Sequence, residues 1–252
     1  MSFLHEHALL LQFSPADIAL TALVFIWTGF VRSGLGFGGA ALGLPLLLLI
    51  NDQLLFWLPV IGFHLLFFSG LTLRTRIRQV DWAYLHHAFL YIIPATLVGV
   101  FGLLNIPNDW LLMFVYSITM VYALMWLTNT EIKSGAGWLD KTLLVTGGYV
   151  AGTSLTGAPL MVAVFMRHVA QSLLRNTLFV LWFTLVTIKM ITFQVVGVEL
   201  HFYSALLLLP LATIGHVIGL KMHEYILSNN LVFRRVIGGM LAIICITGLS
   251  HI

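Results

Sequence analysis

Val31-Arg32-Ser33-Gly34-Leu35-Gly36-Phe37-Gly38-Gly39-Ala40-Ala41-Leu42-Gly43-Leu44-Pro45 is the stretch that decides how this chain folds. Five glycines, an arginine and a proline stand inside an apolar segment covering residues 18–50. As one helix, at about 1.5 Å per residue, that segment would overshoot a hydrocarbon core of about 30 Å. Glycine weakens a helix, so the backbone is expected to unwind over residues 34–39 and divide the segment into two arms. In lipid, unwound backbone is tolerated only where protein buries it or a wet cavity receives it. A second small-residue stretch, Gly152-Thr153-Ser154-Leu155-Thr156-Gly157-Ala158-Pro159, breaks the apolar segment at residues 143–169. The two breaks are read as two halves of one binding site.

Composition fixes the class. The chain has 252 residues, 60% of them hydrophobic and 8% charged, with a mean hydropathy of +1.02. Soluble domains carry about 25% charged residues, so this is an all-α polytopic membrane protein whose surroundings are a lipid bilayer. The basic pI of 9.2 does not imply nucleic acid, because the 12 Lys and Arg are scattered between apolar runs. The single cysteine, Cys245, excludes an intramolecular disulfide. His5, Glu6 and His7 read as a solvated tail rather than a metal site, and residues 1–16 lack the basic start of a signal peptide. No cofactor is indicated.

The breaks alternate with clean spans. The first repeat, residues 1–132, has a hairpin at 18–50 and spans at 54–73, 82–104 and 110–127. The second, residues 133–252, has a hairpin at 143–169 and spans at 177–196, 202–220 and 232–249. Together they make about eight hydrophobic segments. A polar loop with Glu131, Lys133, Asp140 and Lys141 separates the repeats. A shift of 118 residues places Gly34 on Gly152, Gly39 on Gly157, Gln53 on Gln171 and Asp81 on Glu199, and a shift of 116 places Pro94 on Pro210 and Gly99 on Gly215.

Charge placement orients the repeats. Ten of the 12 basic residues lie in loops or at span ends, the densest group being Arg74, Arg76 and Arg78. If each broken segment crossed the membrane once, these ten would divide five and five. If each folds back as a re-entrant hairpin, all ten share the side of Arg74, as the positive-inside rule demands. The halves then have inverted topology, both termini lie on the outer face of a bacterial inner membrane, and the hairpin tips approach from opposite sides. Inverted repeats with broken elements at their interface are a recurring transporter plan.

The remaining basic residues, Arg32 and Lys189, sit inside apolar segments, where a charge is costly and marks a functional candidate. Unwound backbone N–H groups and helix N-termini favour anions. The candidate substrate site is therefore Arg32, Ser33, Gly34, Gly36, Gly38 and Gly39 at the first tip, Thr153, Ser154, Thr156 and Gly157 at the second, and Lys189. Arg175 and Asn176 are placed at the mouth of the second hairpin. Close helix packing through small residues is the competing reading of the tips. His64 reads as a hydrogen-bonded core histidine, and the other histidines form no metal spacing. Trp57, Trp82, Trp110 and Trp138 read as an aromatic belt, and Pro45 and Pro159 as first-turn prolines. No aligned nucleophile and base, paired membrane carboxylates or phosphate loop points to an enzyme.

The stretch Gly34-Leu35-Gly36-Phe37-Gly38-Gly39 with Leu44-Pro45, and its second copy ending Thr156-Gly157-Ala158-Pro159, resemble the sulfite exporter TauE/SafE family of permeases. The second copy departs from the fuller pattern, with one glycine where several are common. The resemblance implies movement of a small sulfur-containing anion, sulfite or an organosulfonate, across a bacterial cytoplasmic membrane. Expected is a secondary transporter or exporter working by alternating access, with a homodimer as a possible assembly. A passive anion channel, an intramembrane enzyme and an assembly subunit are the alternatives.

Overall fold

The computed structural model describes residues 13–35, 39–130, 132–228 and 230–252. They form ten helices and no strand: α1 (Pro15–Leu35), α2 (Gly39–Ile50), α3 (Leu54–Arg76), α4 (Trp82–Asn105), α5 (Asn108–Leu127), α6 (Gly137–Ser154), α7 (Ala158–His168), α8 (Gln171–Val196), α9 (Phe202–Ser228) and α10 (Asn230–Ser250). Seven of these are long and apolar enough to cross a membrane. Six of them, α3, α4, α5, α8, α9 and α10, coincide with the spans read from the sequence; the seventh is α1. The chain is an all-helical polytopic membrane protein. By contrast α2 has 12 residues and α7 has 11. At about 1.5 Å per residue, each reaches only about half of a bilayer core.

The chain reverses at both breaks. A Cβ built on Gly39 would lie 3.0 Å from Arg32 Cβ, and one on Gly43 would lie 2.1 Å from Thr28 Cγ2. Four residues forward along α2 thus match four residues back along α1, as antiparallel arms require. In the second broken segment, Leu155 ends α6 in the left-handed region (φ 61°) and Pro159 stands in the first turn of α7. Gly157 then packs on the Gly147 carbonyl, where a Cβ would approach to 2.0 Å, and Gly147 packs on Met161. At the open end of this hairpin, Asp140 accepts hydrogen bonds from Arg167 (3.0 Å) and from His168 Nε2 (2.8 Å).

Three expectations need correction. The second hairpin starts at Gly137, not 143, because Asp140 is neutralised by partners on the returning arm and so belongs to the helix. Pro45 is the seventh residue of α2 rather than in its first turn, because the helix resumes as soon as the glycine run ends. Trp57 is no belt residue: it is fully buried, and its indole N–H donates to the Asn51 carbonyl (2.8 Å), one of those left open at the end of α2. Trp82, Trp110 and Trp138 are exposed, as a belt requires.

Helix packing divides the chain into two compact units. One comprises Met1–His64, Asn108–Thr130 and Glu199–Ile252; the other comprises Leu65–Pro107 and Glu131–Val198. In the first, α1 packs along α9, α5 along α10, and α2 against α5 and α10. Its core holds Phe25, Leu44, Leu47, Trp57, Leu58 and Cys245. In the second, α6 packs along α4, and α7 and α8 complete the layer. Its core holds Leu85, Ile92, Met161, Phe165, Leu181 and Phe193. The first arm of each hairpin thus packs on a span from the other half of the sequence. The closest approaches use the glycines that the internal repeat aligns. A Cβ on Gly215 of α9 would lie 1.8 Å from the Ile26 carbonyl of α1, and one on Gly99 of α4 would lie 2.2 Å from the Tyr149 carbonyl of α6. Only a residue without a side chain lets backbones meet so closely.

Candidate functional site

The first unit carries the first tip. Arg32 lies in the last turn of α1, 6% exposed, and the next residue, Ser33, is 2% exposed. Gly34 is buried and faces α9, where a Cβ on Gly219 would come within 3.1 Å of its nitrogen. Gly39 opens α2 directly beside Arg32. Arg32, Ser33, Gly34 and Gly39 are therefore gathered at one reversal of the chain; Gly36 and Gly38 lie outside the described residues. The Ser33 hydroxyl donates to the Gly29 carbonyl at 3.0 Å, and its oxygen also meets His216 Nδ1 on α9. His216 was missed in the sequence, where it read as one histidine among several. The available signal was its neighbour Gly215, the repeat partner of Gly99.

The second unit carries the second tip. Thr153, Ser154 and Thr156 are fully buried at the turn between α6 and α7. Their hydroxyl protons are committed internally. Thr153 donates to the Tyr149 carbonyl (2.9 Å) and also lies within reach of Gly99 O (3.3 Å). Ser154 donates to Val150 O (3.1 Å), which leaves Thr156 to donate to Ser154 Oγ (2.7 Å). These hydroxyls lock the turn. The groups at this tip suited to an anion are the backbone N–H groups where α7 begins, beside Gly157.

The sequence matches the sulfite exporter TauE/SafE family over residues 21–247. The chain belongs to the TauE/SafE family. Neither a curated protein nor a solved structure matches it. The TauE/SafE family is one of membrane permeases, so this chain is a membrane transport protein. The matched region of this TauE/SafE chain takes in both tips and every other candidate residue.

The three candidates on α8 separate. Arg175 and Asn176 stand in its second turn, and Lys189 lies 14 residues beyond Arg175, about 21 Å along the axis. One small anion does not span that distance. Asn176 Nδ2 donates to Gln79 (3.2 Å), and the next residue, Thr177, accepts from the Asp81 N–H (2.9 Å), so Asn176 and Thr177 tie α8 to the loop before α4. The Arg175 guanidinium lies 5.6 Å from the Phe179 ring. Lys189 is different. It is 1% exposed, and among the described residues its Nζ has no hydrogen-bond partner. A buried ammonium without partners is expensive, because neither water nor a counter-charge replaces its hydration.

Proposed function

We propose that this TauE/SafE chain exports a small sulfur-containing anion, of the sulfite or organosulfonate class, from the bacterial cytoplasm by alternating access. The observation that carries this reading is Lys189, a fully buried lysine whose Nζ finds no hydrogen-bond partner among the described residues. A mobile anion is the counter-charge such a group suits, and family membership supports sulfite chemistry for it. Arg32 and the backbone around Gly34 and Gly39 give the first tip the same preference, and the start of α7 beside Gly157 gives it to the second. In this reading Arg175 is an earlier station on the path. Alternating access in this reading exposes the anion at the tips to one side of the membrane and then the other. An interior-negative potential favours anion exit by about 2.3 kcal/mol per charge per 100 mV, so export needs no further coupling.

Proteoliposomes loaded with sulfite, thiosulfate or methanesulfonate test the reading. Saturable efflux with counterflow is expected for at least one of them. No protein-dependent flux of any sulfur anion overturns the function, and flux without saturation or counterflow replaces the carrier with a channel.

A further inference from the structure

The contact between Ser33 and His216 joins the first tip to a titratable ring that neither the charge pattern nor the glycine motif picks out. It brings α1 and α9 together across 183 residues of sequence. The two elements interlock around it: the glycines at 29 and 219 let the backbones close to contact on either side of His216. Ser33 has one hydroxyl proton and two neighbours that compete for it. The Gly29 carbonyl only accepts, so the 3.0 Å contact is a hydrogen bond only while the proton points at Gly29. Nδ1 must then carry a hydrogen and donate to Ser33 Oγ. If Nδ1 is bare, the hydroxyl turns away from Gly29 and donates to the ring. The protonation of His216 therefore sets the direction of the Ser33 hydroxyl, and in the imidazolium form only one arrangement remains.

We propose that His216 is a third member of the anion site, a positioning residue whose protonated form raises anion affinity at the first tip and so couples anion binding to proton uptake. This rests on the reading of that tip as part of the substrate site. The imidazolium adds a positive charge beside Ser33, next in the chain to Arg32, and fixes the hydroxyl that borders Gly34. The α1 residues that close on α9 around His216, Ile26, Gly29, Phe30 and Ser33, do not titrate, and Arg32 turns its Cβ toward Gly39 of α2. His64 of α3 is bonded to the Ala205 carbonyl, 11 residues before His216 on α9.

The test is methanesulfonate binding to the purified full chain by titration calorimetry, since the charge of this anion does not change over the pH range used. Sulfite itself would confound the experiment by titrating. Wild-type affinity is expected to rise about tenfold from about pH 7.5 to about pH 5.5, with proton uptake on binding near neutral pH. In His216→Asn, which keeps a hydrogen-bonding atom near the Nδ1 position, the affinity should be nearly independent of pH and proton uptake should be lost. Ser33→Ala should bind more weakly but retain proton uptake. If the wild type takes up no proton, or if His216→Asn keeps the wild-type pH dependence, the proposal is overturned while the anion site stands. If His216→Asn does not fold, wild-type proton uptake alone decides. If neither methanesulfonate, sulfate nor thiosulfate binds the wild type at any pH, the anion site itself fails and this inference falls with it.

Discussion

At the scale of single residues, the energetics turn on the charges inside apolar helices. Lys189 has no described hydrogen-bond partner for its Nζ, so burying it opposes folding. Lys189→Met keeps the volume and removes the charge. It should raise thermal stability in detergent, by roughly 1–3 kcal/mol, and abolish the stabilisation that sulfur anions give the wild type. A destabilised variant that still responds to sulfite would remove Lys189 from the site. Lys189 and Arg32 were legible in the sequence because a charge in an apolar run is a local signal. The partners of the buried hydroxyls were not. Thr153, Ser154 and Thr156 read equally well as donors to a ligand and as donors to their own turn, and only their acceptors decide. His216 was illegible for a stronger reason: its meaning lies in Ser33, on another element, and no periodicity connects the two.

At the scale of elements, α1 with α9 and α6 with α4 depend on backbones in direct contact. A methyl group on Gly215 would meet the Ile26 carbonyl and one on Gly99 the Tyr149 carbonyl, and neither backbone can swing aside as a side chain would. Gly215→Ala and Gly99→Ala should each lower stability by about 1–3 kcal/mol, against a neutral or slightly stabilising Gly137→Ala, where nothing lies within 4 Å. Thermal unfolding of the three variants in detergent measures this, and equal midpoints would show that the helices separate to accommodate the methyl groups. These glycines were visible as a repeat before their task was known, because matched positions need no knowledge of what they touch. Span ends were also legible: Asp81 caps α4 by accepting from the Tyr84 N–H at 3.0 Å, as a residue at a span start should. The start of α6 was not, since Asp140 looks like a loop residue until Arg167 and His168 return to it.

At the scale of the whole molecule, the question is which face each loop occupies, and arm length bears on it. The returning arms α2 and α7, at 12 and 11 residues, are too short to cross a core of about 30 Å. Re-entrant hairpins, the reading drawn from the charge pattern, would leave six crossings. That topology would put both termini on the outer face and, with Arg74, Arg76 and Arg78 inside, all ten peripheral basic residues on the inner one. The first unit also holds a cavity of about 560 Å³ lined by Asp17, Asp52 and Asp109, residues that this topology places outside. On that topology the acidic lining would disfavour re-entry of an expelled anion. The lone cysteine makes a direct test simple. In a Cys245→Ser background, Ile252→Cys should react with a membrane-impermeant maleimide in intact spheroplasts, and Thr75→Cys, between Arg74 and Arg76, only after permeabilisation. The reverse pattern would invert the assignment. Reaction of both in intact spheroplasts would mean an even number of crossings between residues 75 and 252, and the second hairpin would then have to pass fully through the bilayer.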